Sequence, residues 1–113
     1  MTEDDNTNLV KRLSPHLTPK QRQFLRSLAH DLKPIVLIGQ KGVTEGVVDN
    51  LAAALLAHEL VKVKVHVADE AEACAEALHE GTKGQLVQHI GKTLLFYKAH
   101  PQKPEIVLPK SKP

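Results

Sequence analysis

The sequence predicts a mixed α/β fold of order α-β-α-β-α-β-β, in which a four-stranded mixed sheet is packed with three helices. Stretches of apolar residues at helical spacing alternate with short apolar runs at strand spacing. Gly91-Lys92 separates the last two apolar stretches as a glycine-first hairpin turn would. Phe24, Phe96 and Tyr97 are the only aromatics among 113 residues, so the core has to be built from Val, Leu, Ile and Ala, which suits layered α/β packing.

That length suits one domain. It is expected over residues 14–100, between a flexible, acidic-polar tail (1–13) and a Lys/Pro-rich tail (101–113). Thr18-Pro19 opens the first helix. Threonine is a good N-cap, proline fits the first helical position, and Gln21 completes a capping box. Phe24, Leu25, Leu28 and then Leu32 form its apolar side, leaving Arg22, Arg26 and His30 on the opposite one. The helix runs to about His30 and is stopped by Lys33-Pro34. Ile35-Val36-Leu37-Ile38 reads as a central strand buried on both faces. Thr44 caps a second helix over about 45–58 with Val48, Leu51, Ala52 and Leu55 inward. From Leu60 to Val67, valines alternate with Lys62, Lys64 and His66, marking a strand with one buried and one cationic face. Asp69 is expected to cap a third helix, about 70–80, with Ala71, Cys74, Ala75 and Leu78 inward. Leu86–Ile90 and Thr93–Lys98 form the hairpin, and Glu105-Ile106-Val107-Leu108 is a candidate edge strand.

Charge is unevenly spread. Residues 11–41 hold seven Lys and Arg against Asp31 alone, whereas residues 69–80 hold five acids and no Lys or Arg. A molecule with a positive and a negative side is expected, and the positive side is the footprint of a polyanion partner. The seven histidines are scattered and Cys74 stands alone, so no metal-ligand spacing exists and no cofactor is expected. No nucleophile–base motif supports an enzyme. No apolar run is long enough to span a bilayer, and no signal-peptide pattern is seen, which points to the cytoplasm.

Gly39-Gln40-Lys41-Gly42 leaves a strand and enters a helix. The first amides of a helix lack internal partners and carry partial positive charge, glycines let a phosphate approach the backbone, and Lys41 adds a full charge. The spacing G-x-x-G is common by chance. Gly81-Thr82-Lys83-Gly84 shares it but follows an acidic helix, and reads as a helix C-cap and turn.

Leu17-Thr18-Pro19-Lys20-Gln21, Leu28-Ala29-His30, Leu32 through Val47 with its Gly39-Gln40-Lys41-Gly42 loop, Leu60-Val61-Lys62-Val63-Lys64 and Ile90 through Tyr97 together closely resemble the CRM domain (chloroplast RNA splicing and ribosome maturation). The short, single-domain form is similar to the bacterial YhbY type, and the likeness covers about residues 17–98. It implies a compact RNA-binding domain whose G-x-x-G loop is like that of KH domains, although the surrounding elements differ. It also implies a partner in ribosomal RNA, since stand-alone bacterial members associate with precursors of the large ribosomal subunit. The expected RNA-binding residues are Gly39, Gln40, Lys41 and Gly42 with Lys20, Arg22, Arg26, Lys33, Lys62 and Lys64, in a protein acting as a monomer. The competing expectation is a protein–protein adaptor that docks basic partners through its acidic third helix.

Overall fold

The computed structural model describes residues 7–110. The order is α1 (Thr7–Leu13), α2 (Pro19–Leu28), β1 (Val36–Ile38), α3 (Glu45–His58), β2 (Leu60–Val65), a 3-10 turn (Ala68–Glu70), α4 (Ala71–Thr82), β3 (Gln85–Ile90) and β4 (Thr93–Tyr97). The strands form one mixed sheet in the order β1-β2-β4-β3. β1 runs parallel to β2, and β4 is antiparallel to both of its neighbours. The four-stranded mixed sheet is as the sequence predicts, with a fourth helix added.

That helix is α1. The tail expected over 1–13 is corrected here, because Leu9, Val10 and Leu13 share one helical face and are buried in the main core. Residues 1–6 of the expected tail lie outside the described residues. The main core fills one side of the sheet. There α1, α3 and α4 cover Val36, Ile38, Val61, Val63, Val65, Leu86, Leu94 and Phe96. Leu51 and Leu55 of α3 and Ala75 and Leu78 of α4 are almost fully excluded from solvent. Gly81 and Gly84 permit this packing, since a Cβ on either would lie 2.9 Å from Val48 or Leu55. α4 starts after the 3-10 turn without a side-chain cap, so Asp69 does not hold the role expected of it.

A smaller cluster lies on the other side of the sheet. Leu17, Leu25 and Ala29 cover Leu60, Val87, Leu95 and Tyr97, with Phe24, Ile106 and Leu108 at its margin. The capping box is present: Thr18 Oγ1 accepts from the Gln21 amide and Gln21 Oε1 from the Thr18 amide, both at 3.0 Å. α2 ends at Leu28, earlier than expected, where the Ala29 amide is shared between the carbonyls of Leu25 and Arg26. The run Ile35–Ile38 is corrected as well. β1 is an edge strand, and α2 sits over β3 and β4, so Val36 and Ile38 are buried while Ile35 and Leu37 are 56% and 68% exposed.

The segment after β4 is not a strand. Glu59, at the junction of α3 and β2, is buried and sends its carboxylate into it. Glu59 Oε2 accepts from the His100 amide at 2.8 Å, and Oε1 accepts from the amides of Glu105 and Ile106 at 3.0 and 2.9 Å. The donors an edge strand would need are therefore held by a side chain. Gln21 Nε2 donates to the Pro109 carbonyl at 2.9 Å, so this part of the expected C-terminal tail is bound to the domain. Residues 111–113 lie outside the described residues.

Candidate functional site

The Gly39–Gly42 turn projects from the end of β1. Gly39, Gln40 and Lys41 are exposed, and a side chain placed at Gly39 or Gly42 would meet nothing within 4 Å. The Gly42 amide donates to the Gly39 carbonyl at 3.0 Å, and Gly42 takes φ +74, a conformation open to glycine. Two amides that the loop was expected to offer a phosphate are thus engaged within the protein, since the Val47 amide donates to Thr44 Oγ1 at 3.2 Å. Exposed Glu45 and Asp49 stand on the first turns of α3, and their charge opposes an anion at that helix end. What the turn offers an anion is its tip, at Gln40 and Lys41, more than the mouth of α3.

Arg22 is not on a solvated basic face. It is 7% exposed, and its Nη1 donates to the Leu17 carbonyl at 2.8 Å and to Ser14 Oγ at 3.1 Å. It ties the α1–α2 connection to α2, so the expectation that it meets phosphate is corrected. The physical reason is the α1–α2 connection: buried Ser14 and Leu17 supply the acceptors that take the guanidinium out of solvent.

The other cations gather around the part of the sheet that α2 leaves bare. The outer face of β1 and β2 carries Leu37, Lys62 and Lys64, and the strand register sets Lys64 beside Leu37. Lys62 and Lys64 stand about 7 Å apart along β2. Between α2 and this face runs a groove of about 800 Å³ lined by Gln23, Arg26, His30, Lys62 and Gln88, with Asp31 as its one carboxylate, among the described residues, against the two cations. Lys20 precedes Gln23 and Ser27 by three and seven positions, which places it on the groove side of α2. Because β1 and β2 are parallel, the Gly39–Gly42 turn lies beyond the Lys64 end of β2. The exposed Lys92 reaches the same end, where its carbonyl accepts from the Val65 amide at 2.7 Å. Lys33 lies apart from the groove, at an apolar pocket it shares with Lys62. The structure thus brings Lys20, Arg26, Lys62, Lys64, Lys41 and the turn onto one side, leaves Lys33 at its margin and removes Arg22.

Sequence reasoning missed Gln23, Gln88 and Lys92. Gln23 was legible as the groove-side successor of Lys20, and Gln88 as the outward neighbour of Ile90 on a strand. What hid them was the position of α2 across the sheet. Tyr97 is buried in the smaller cluster, where desolvation and then the nearby Glu59 carboxylate push its hydroxyl pKa up, so it offers no stacking face. Cys74 is a buried free cysteine whose thiol pKa is pushed up by desolvation and then by Glu70.

The acids lie on the opposite side. Arg12 of α1 pairs with Glu76 at 2.8 Å and with Glu72 at 3.9 Å, neutralising part of the face that an adaptor would present. Among the described residues no cluster of three or more His, Cys, Asp or Glu could hold a metal. No described helix is long and apolar enough to cross a membrane.

Comparison with known proteins adds to this geometry. The family model described as the CRS1 / YhbY (CRM) domain matches residues 17–98. The chain is 44% identical over 95 residues to "Probable RNA-binding protein YqeI" of Bacillus subtilis, covering 82% of this chain and 99% of that protein. It is 45% identical over 84 residues to a Haemophilus influenzae protein named "RNA-binding protein", covering 73% of this chain and 85% of the other. The solution structure of the hypothetical protein SAV1595 from Staphylococcus aureus matches with a TM-score of 0.71 and 40% identity, over 82% of this chain and 99% of that one.

Proposed function

Because the chain belongs to the CRS1 / YhbY (CRM) domain family, we propose that it is a non-enzymatic RNA-binding protein, and that its RNA is ribosomal RNA in precursors of the large ribosomal subunit. The observation that carries this reading is the bare outer face of β1 and β2. Lys62 and Lys64 stand there without a helix above them, Lys62 lining the groove with Arg26 and Lys64 lying beside Leu37 on the way to Lys41. Such an array suits a phosphodiester backbone: ammonium and guanidinium groups meet successive phosphates, and the glutamines add neutral hydrogen bonds. Polar side chains along the groove and a shortage of exposed aromatics favour shape and backbone recognition over a continuous stacking platform. The names of the Bacillus and Haemophilus relatives support RNA as the ligand, and the family resemblance supports a cytoplasmic role in ribosome assembly.

Binding to a large-subunit ribosomal RNA fragment is the direct test, by gel shift at several salt concentrations with circular dichroism as a folding control. Lys62→Glu with Lys64→Glu is expected to weaken binding about tenfold or more, and to make the plot of log affinity against log salt shallower by about 1.5. Unchanged affinity and slope in a folded variant would remove the proposed surface. Equal binding to any RNA of similar length would remove the ribosomal assignment while leaving RNA binding standing.

A further inference from the structure

Three large aliphatic side chains that helical spacing and an apolar run would send to the core are left partly in solvent. Leu28, Leu32 and Ile35 are 45%, 39% and 56% exposed. They are not scattered. With Leu60 and Ile106 they line a pocket of about 390 Å³, a size suited to a compact organic group. An exposed apolar concavity of this kind marks a binding surface. Two cations, Lys33 and Lys62, and the His58 imidazole also line it. Lys62 also lines the polar groove, so the two hollows adjoin. Its ammonium donates to the Leu32 carbonyl at 2.9 Å, which holds it at the boundary with two further N–H groups to offer.

From this juxtaposition we infer that the pocket seats one unstacked nucleobase of an RNA whose phosphates lie on Lys62 and Lys33. The occupant has to combine an apolar body with an anionic attachment, and a nucleotide turned out of a loop does so. Its base faces are apolar and its phosphate follows at once. The aliphatic walls take the faces, and the His58 imidazole stands where it can meet the polar edge. A strand following the groove reaches the pocket across Lys62 alone. This inference rests on the RNA-binding reading and narrows it: the protein prefers a helix that ends in an unpaired loop to a continuous duplex.

The test uses the full chain and three RNAs: a hairpin with a fluorescent purine analogue in its single-stranded loop, the same hairpin made abasic through the loop, and a fully paired duplex. The wild-type protein is expected to change the analogue's fluorescence and to bind the intact hairpin about tenfold more tightly than the abasic one. Ile35→Ser with Leu28→Ser, which alters no charge, is expected to abolish the fluorescence change and the preference while leaving duplex affinity as it was. Ile35→Ser alone, at the most exposed of these positions, gives the same comparison with the least disturbance of the fold. Equal wild-type affinity for intact and abasic hairpins would overturn the inference and leave the RNA-binding reading in place. So would full retention of the preference in the folded variants, and the pocket would then be better suited to an apolar protein segment. Failure of the wild-type protein to bind any of the three would overturn the RNA-binding reading itself.

Discussion

Two arginines four positions apart on α2 have opposite fates. Arg22 and Arg26 are separated by about one helical turn, yet Arg22 is buried against the Ser14–Leu17 connection while Arg26 lines the groove. The difference should be measurable. Arg22→Ala removes donors from buried acceptors and should lower stability by about 2–3 kcal/mol in urea denaturation, with any loss of RNA affinity following from unfolding. Arg26→Glu should leave the denaturation midpoint within about 0.5 kcal/mol of wild type and still weaken RNA binding. Equal stability effects would contradict the assigned roles. Glu59 is the second decisive residue. Burial alone would raise its carboxyl pKa, but the His100, Ile106 and Glu105 amides and the charge of His100 outweigh that and hold it below the ordinary value of 4.5. A carboxyl lowered in the folded state stabilises the fold above its unfolded pKa, and this contribution is lost as pH falls through the folded value. The chain should therefore lose stability in acid below about pH 4.5. Glu59→Gln should be less stable at neutral pH and should show a flatter acid limb in stability measured against pH. An acid limb as steep as that of wild type would show that Glu59 does not carry it.

At the scale of elements, α1 and the C-terminal segment are extensions that the domain has absorbed. The described residues of α1 number seven, a length too short to hold as an isolated helix. Its helical form depends on burying Leu9, Val10 and Leu13, and the core depends on it in turn. A chain beginning at residue 14 should lose at least about 4 kcal/mol of unfolding free energy, because three buried aliphatic side chains go at once. Urea denaturation of the truncated chain checks this, and a loss below about 1 kcal/mol would mean that α1 is dispensable. β1 shows how position governs an element's surroundings. The same four apolar residues would be buried on both faces in the middle of the sheet, but at its edge they place Leu37 and Ile35 in solvent. The exposed pair borders the cationic face and the pocket, so the edge position of β1 is part of the candidate site.

Across the whole molecule, charge is sorted by side. The formal net charge of +2 conceals a cationic groove on the face that α2 only partly covers and an acidic α4 on the opposite one. Part of the acidic surface is offset internally by Arg12. A polyanion approaching such a molecule is oriented before contact, with the acidic side turned away. The salt-dependent binding predicted for the groove belongs to this scale, since it reflects the number of phosphates met together rather than any one pair.

The local pattern of residues was enough for much of this. Capping at Thr18 and Thr44, the alternation of Val61, Val63 and Val65 with the lysines, the Gly91-Lys92 hairpin and the exposed Gly39–Gly42 turn are set by short-range sterics, hydrogen bonding and periodicity, which neighbours along the chain carry among themselves. The sheet order, the insertion of α1 and the seat of α2 depend on which surfaces meet across long stretches of chain. Those meetings buried Arg22, bound the segment after Tyr97 to Glu59, put β1 at an edge and opened a groove and a pocket around Lys62. A residue's period tells which face of its own element it occupies. Whether that face looks into the core, into a groove or into water is settled by the element that packs there, or by the absence of one.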